Sequence, residues 1–264
     1  MEFTFKEKYN MEDLLQIVAM LRDKDNGCPW DKVQTHKSIR KNFIEETYEV
    51  AEAIDDDNKP LMQEELGDVL LQILLHSQFE AEEGVFSFFE VVDGIAKKLI
   101  LRHPHVFTGF DNKTVEGVLA KWEEIKKEEK GQETASETIS AIPKSFPALM
   151  YTQKLQKRAV AGGLDRQSKG EILDKLQGQL DILRSEVEQG KECGDSIAEL
   201  LYNTVSLSYL AKIDAEELLE EKNKEKVSYF RELDNLLLQN SSKFDTINNV
   251  LFLEYQEQAL KNVK

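Results

Sequence analysis

The sequence predicts an all-α protein, and three observations carry that expectation. Apolar residues recur three and four apart through almost the whole chain, which is the period of one helix face. Five prolines and thirteen glycines among 264 residues are too few to punctuate the many turns of an all-β fold. Hydrophobic residues at 41% beside charged residues at 32% suit helices with one buried and one solvated side.

A first helix is expected over 11–24, with Leu14, Leu15, Val18 and Leu21 on one side, stopped by Asn26-Gly27-Cys28-Pro29-Trp30-Asp31. A second runs over 37–56 and ends at Asp55-Asp56-Asp57-Asn58. The third begins at Pro60, which a first turn tolerates, and runs to about Glu83, where Gly84 closes it. The fourth covers 87–102 and breaks at His103-Pro104-His105, whose histidines are expected to order the next loop by side-chain hydrogen bonds. A fifth follows over 114–130, with Thr114 as its N-cap. Residues 131–147 crowd Gln, Thr, Ser and Ala together and end on Pro143 and Pro147, so they read as a linker. Further helices are expected over 148–159, 169–189, 194–212, 214–239 and 245–262.

The two sides of the linker look like diverged copies of one unit. Glu65-Leu66-Gly67-Asp68-Val69-Leu70 opens an apolar helix in the first, and Ser196-Ile197-Ala198-Glu199-Leu200-Leu201 does so in the second. The expected organisation is a domain over 1–130, a linker over 131–147 and a domain over 148–264. The stretch from Val69 to Leu75 is apolar nearly all round, which marks a helix buried on several sides. One thin bundle does not surround such a helix, so a homodimer is expected.

The formal net charge is -16. In residues 1–130, 17 basic side chains against 28 acidic ones leave -11; in 131–264, 17 against 22 leave -5. Such a surface repels phosphate backbones, so no nucleic-acid polymer is expected as partner. A small phosphate ligand arriving with divalent cations remains compatible. Cys28 and Cys193 are too few for a disulfide framework or a zinc site. The first six residues lack the basic and apolar regions of a signal peptide, and the run at 69–75 is far short of a membrane span. The expected setting is the cytoplasm, with no membrane partner.

Two acidic segments carry the chemistry. Residues three or four apart share a helix face, so Glu46 and Glu49 project together in Glu45-Glu46-Thr47-Tyr48-Glu49, and Glu65 and Asp68 do so in the next helix. A short turn joins the two helices, so they pack antiparallel and the pairs face each other. Phe43, Ile44, Val50, Ala53, Leu66, Val69 and Leu70 flank them and suggest partial burial. Four gathered carboxylates repel unless a cation neutralises them, and magnesium, a hard ion, prefers oxygen ligands. A solvated acidic face is the alternative at this point. Gly67 costs about 1 kcal/mol against alanine inside a helix, and is expected to permit close helix approach beside the metal. No glutamate stands three residues before His36, His76, His103 or His105, so the Glu-x-x-His pattern of di-iron bundles is missing. An all-oxygen set favours magnesium, or manganese, over iron and zinc.

Lys98 and Arg102 lie four apart near the end of the fourth helix, with Lys97 beside them, and suit phosphate oxygens. Basic residues also settle at helix C-termini through the dipole. Lys121 is a further candidate cation, with Trp122 beside it. Trp30 either stacks on a base or plugs the end of the bundle.

Together these residues resemble the MazG family of nucleoside triphosphate pyrophosphohydrolases, in its long, two-domain form. The family's mark is Glu-Glu-x-x-Glu followed by Glu-x-x-Asp, here Glu45-Glu46-Thr47-Tyr48-Glu49 and Glu65-Leu66-Gly67-Asp68. Gly27-Cys28-Pro29-Trp30-Asp31-Lys32, Arg102-His103-Pro104-His105-Val106-Phe107, Lys121-Trp122-Glu123 and the stretch from Ile142 to Met150 also look like the family's, so the likeness spans nearly the whole chain. It implies two tandem MazG-like helical bundles, a dimer, and magnesium-dependent cleavage of a nucleoside triphosphate between its α and β phosphates to monophosphate and pyrophosphate. It also implies metal ligation by Glu46, Glu49, Glu65 and Asp68, with Glu45 close enough to orient or deprotonate water.

The second half departs from the pattern. It has Gly178-Gln179-Leu180-Asp181-Ile182 and Ser196-Ile197-Ala198-Glu199 where the two motifs should recur, so most ligand oxygens are missing. It reads as a degenerate copy kept for packing or dimerisation. The rival functions are a helical scaffold that keeps an ancestral fold and an enzyme narrowed to one nucleotide, such as dUTP, dCTP or a damaged triphosphate. An intact first carboxylate set beside an eroded second favours an enzyme, since a scaffold has no reason to retain either. The residues leave base and sugar preference open.

Overall fold

A computed structural model describes residues 3–109, 114–240 and 247–263. Among them the chain forms twelve α-helices, one short 3-10 turn and no strand. It divides into two compact units, the first ending at Ile125 and the second starting at Lys126.

In the first unit, α1 (Met11–Leu21) starts in a capping box in which Asn10 and Asp13 satisfy each other's backbone N–H groups. A 3-10 turn at Asp31–Val33 follows. Next come α2 (Arg40–Asp55) and α3 (Lys59–Glu82). Only Asp56, Asp57 and Asn58 join them, with Asp57 at φ 51° and Asn58 accepting from the Leu61 N–H. So tight a turn makes α2 and α3 an antiparallel hairpin, as expected. Pro60 lies in the first turn of α3, and Gly84, at φ 70°, follows its end. Val18, Ile39, Leu74, Leu75 and Phe79 form the buried core, flanked by Leu14, Leu15, Leu70, Leu71 and Phe88. Helix α4 (Phe88–Arg102) begins in a second capping box, Ser87 with Glu90. It is followed by α5 (Pro104–Phe107) and α6 (Val115–Glu129). Thr114 caps α6 by accepting from the Gly117 N–H, as expected. His103 bonds the Leu99 carbonyl through Nδ1 at 2.7 Å, back onto the last turn of α4 and not into the loop that it was expected to order.

The second unit holds α7 (Ala135–Ser140), α8 (Ala148–Ala161), α9 (Lys169–Glu188), α10 (Gly194–Ala211), α11 (Ala215–Gln239) and α12 (Asn249–Asn262). The expected start of the last helix, at 245, lies outside the described residues. Tyr229, Leu233, Leu236 and Leu237 of α11 pack with Tyr255 and Ala259 of α12. Gln156, 1% exposed, ties α8 to its surroundings through Asp165 and Ser206.

Three further expectations about local structure change. The stretch at 131–147 contains α7, in a capping box of Thr134 and Glu137. Arg158 of α8 donates to the Thr138 carbonyl at its end. The break at His103-Pro104-His105 is sharp, but Pro104 then starts α5, where a missing N–H costs nothing. Gly67 does not serve close helix approach: a Cβ there would meet nothing within 4 Å.

Candidate active site

The α2–α3 hairpin sets two acidic stripes opposite each other. Glu46, Glu49 and Glu65 each present a ligand oxygen within 4.8 Å of the others. Among the described residues this is the one group of three or more potential metal donors so placed. Glu46 and Glu65 are half-buried and Glu49 is exposed. Asp68, half-buried, acts electrostatically on both Glu46 and Glu65. Burial holds the Glu46 carboxyl above the usual glutamate range; its hydrogen bond with Glu49 and the charges of Asp68, Glu49 and Glu65 raise it further. Glu65 is raised by the same causes, burial first, then the charges of Glu49, Asp68 and Glu64.

Burial leads both shifts, and mutual repulsion among the gathered carboxylates adds to it. The donors are all carboxylate oxygens and converge from both helices, so the set fits a hard divalent cation. Ala53, at 1% exposure, seats α2, with Phe43, Val50, Val69 and Leu70 half-buried as foreseen. Ile44 and Leu66 do not join them; they are 46% and 50% exposed, on faces of the hairpin that this chain leaves uncovered.

Several of the other candidates have partners of their own. Glu45 turns to Lys41, 2.7 Å away on the outer face of α2. Lys98 and Arg102 line a cleft of about 300 Å³ with Ile95, Leu99, Trp122 and neighbouring side chains of α4 and α6. Lys98 is exposed, whereas Arg102 is buried with its guanidinium 5.4 Å from the centre of the Trp122 ring. Lys121 pairs with Glu124 at 3.0 Å. Trp30 is 56% exposed, so its ring does not plug the bundle. In the second unit, Asp181 accepts from Gln177 on its own helix, and Glu199 is exposed.

Two polar assemblies escaped the sequence reading. Arg22 grips Glu82 with two hydrogen bonds of 2.7 Å and donates to the carbonyls of Asp31 and Gln34. His36 joins His76 and Glu80 at 2.6 and 2.7 Å. The usable signal was His76 and Glu80 four apart on α3; their partner, forty residues away, left no mark in the spacing.

Residues 34–107 match the MazG nucleotide pyrophosphohydrolase domain, a stretch that holds both acidic motifs. The chain is 36% identical over 258 residues to the nucleoside triphosphate pyrophosphohydrolase of Escherichia coli K12, covering 96% of this chain and 97% of that protein. It is 35% identical over 251 residues to the nucleoside triphosphate pyrophosphohydrolase/pyrophosphatase MazG of Thermotoga maritima, covering 94% of each. The YabN protein of Bacillus subtilis is 51% identical over 132 residues, which span 50% of this chain and 27% of that one. Matched nearly end to end by relatives of similar length, and carrying both acidic motifs on one helical hairpin, the chain belongs to the MazG family of nucleotide pyrophosphohydrolases.

Proposed function

We propose that the chain hydrolyses nucleoside triphosphates between the α and β phosphates, giving the monophosphate and pyrophosphate, with magnesium held by Glu46, Glu49, Glu65 and Asp68. The convergence of three of these carboxylates within 4.8 Å carries the reading. The names of its full-length relatives support the reaction class, and the protein is a hydrolase of that class. A bound divalent ion polarises phosphoryl oxygens and lowers the pKa of its water. Magnesium is favoured over softer metals by the all-oxygen donor set, and manganese is the natural substitute.

Glu45 is proposed to orient or deprotonate the attacking water. Its ion pair with Lys41 is exposed at both ends, and such surface pairs are weak, so that carboxylate is available to another partner. Lys98 is proposed to meet phosphate oxygens, with Arg102 and Lys121 behind it, and the exposed Trp30 to offer a face to the base. The catalytic domain in this reading is 1–130, and 148–264 is a degenerate copy. Its carboxylates Asp181 and Glu199 belong to no group of three donors among the described residues.

A homodimer is also proposed, on a different footing from the one the sequence suggested. Every residue from Val69 to Leu75 is already buried or half-buried within one chain. One uncovered apolar surface lies on α4, where Phe89, Val92, Ile95, Leu99 and Leu101 are 44–66% exposed.

The test is product analysis on a mixture of ribo- and deoxynucleoside triphosphates, with magnesium and with EDTA. Equal monophosphate and pyrophosphate, lost on chelation, is the expected result. Diphosphate with inorganic phosphate would place the cleavage elsewhere, and full activity in EDTA would remove the metal.

A further inference from the structure

We propose that His36, His76 and Glu80 form a proton-sharing clamp that positions the start of α2 against α3. His36 lies in the loop before α2, four residues ahead of Arg40; His76 and Glu80 lie one turn apart on α3. The two imidazole planes are within 8° of parallel, with centroids 4.9 Å apart and Nδ1 atoms 2.6 Å apart. That centroid distance is the N···N distance plus about two ring radii, so the rings meet edge to edge, as an N–H···N bond requires. The other nitrogen of His36 lies 2.7 Å from Glu80 Oε1. Phe79 stands edge-on to both rings, and Phe43 of α2 packs on His76 at 5.6 Å.

Only certain proton arrangements keep both bonds. With both histidines neutral, His76 Nδ1–H donates to the His36 Nδ1 lone pair, and His36 Nε2–H donates to Glu80. One further proton is accommodated without breaking either bond. It joins His76 at Nε2 from solvent, the bridging proton passes to His36 Nδ1, and the positive charge comes to rest beside the Glu80 carboxylate. A second has no place, because two N–H groups would then face each other. Burial, and then the charge on His36, hold the His76 ring below the usual histidine range; no other charged group acts on it comparably.

The clamp reaches the carboxylates by a short path. Ile39, 1% exposed, anchors the segment just after His36, and Phe43 lies one turn before Glu46. His36 and His76 are thus positioning residues, acting through the seat of α2. That last consequence rests on the proposed metal site, whereas the clamp itself does not.

The test is imidazole NMR and amide hydrogen exchange on the full chain without metal, over pH 4.5–8, with manganese affinity measured beside them. The pair should take up its two protons in separate macroscopic steps. In His76→Phe, amides from Thr35 to Phe43 should exchange about tenfold faster at neutral pH, the factor for losing one hydrogen bond. The parent should show the same acceleration, beyond the intrinsic pH dependence, only as the pair takes up its second proton. Glu46 and Glu65 titrate with the opposite sign, since protonation relieves repulsion between α2 and α3 and slows exchange. His36→Ala, at an exposed position, should accelerate exchange likewise and raise the His76 midpoint. Rings that titrate in one common step, or unchanged exchange in both variants, would overturn the clamp. Faster exchange with unaltered manganese affinity would overturn its positioning role. A parent that binds no manganese yet shows the exchange pattern would refute the metal site and leave the clamp standing.

Discussion

At the scale of the residue, the carboxylate cluster is a place where stability and activity oppose each other. Glu46 and Glu65 are held above their usual range by burial and by neighbouring negative charge. Between the ordinary glutamate value and the raised one, the folded chain keeps protons that the unfolded chain releases. The metal-free protein therefore loses stability as pH rises through the raised values, and keeps it in acid below the unfolded value. Glu46→Gln removes one of the crowded charges at nearly constant volume, so in a chelating buffer at pH 7 its melting temperature should exceed the parent's. A lower one would refute the like-charge account. Turnover should move the other way: Glu49→Gln or Asp68→Asn is expected to cost about 10²-fold or more, as when one preorganised electrostatic contact is lost. Glu199→Gln, on the exposed face of α10, should stay within about threefold, since such changes shift free energy by about 0.5 kcal/mol or less. Rates of these three, with helicity checked by circular dichroism, decide which unit works; a dead Glu199→Gln beside a healthy Asp68→Asn would reverse the assignment.

At the scale of the element, Arg22 holds the loop that carries Trp30. Its guanidinium, buried on the Phe79 ring at 4.1 Å, takes the Glu82 carboxylate with a two-pronged grip and two loop carbonyls with its remaining donor. Lysine offers a point charge in place of this fork. Arg22→Lys should therefore cost about 2 kcal/mol, less than a fully buried pair because Glu82 is part-exposed, and urea melts would read it. A loss under about 0.5 kcal/mol would show that the loop holds by other means. This grip also marks the limit of sequence reading. The long helices were legible because a 3.6-residue period repeats over several turns, and the acidic stripes because ligands three apart sit on such helices. Arg22 and Glu82 are sixty residues apart, and nothing local to either announces the other. Helix α7 was legible in principle, since Thr134 and Glu137 form the capping pattern, but the surrounding polar composition hid it. Arg102 shows the same limit at the site: spacing gave its helix face, while its contact with Trp122 depends on packing. Glu45 came from the family motif alone, although its partner Lys41, four residues before it, lies at a spacing that a helix brings together.

At the scale of the whole molecule, the uncovered side of α4 is an apolar surface that a single chain leaves unexplained. Val92, Ile95 and Leu99 are spaced three and four apart, so they form one continuous apolar stripe, and all three are 44–49% exposed. Water contact over such a stripe is unfavourable by roughly 25 cal/mol per Å² of apolar surface. A second copy packed across it would remove that area, and a stable pair needs about 800 Å² from each partner. The formal charge of -16 makes association harder away from apolar ground, so the stripe, bordered by Lys98 and Arg102 and not by carboxylates, is where two copies can approach. Ile95→Asp places a carboxylate in the middle of it. The parent should run as a dimer in light scattering at micromolar concentration, and Ile95→Asp as a monomer with unchanged helix content. Ile95 also lines the cleft that holds Lys98 and Arg102, so the variant should lose activity together with its partner. A parent that is monomeric at those concentrations would remove the dimer. A monomeric variant with full turnover would keep the dimer and detach that cleft from catalysis.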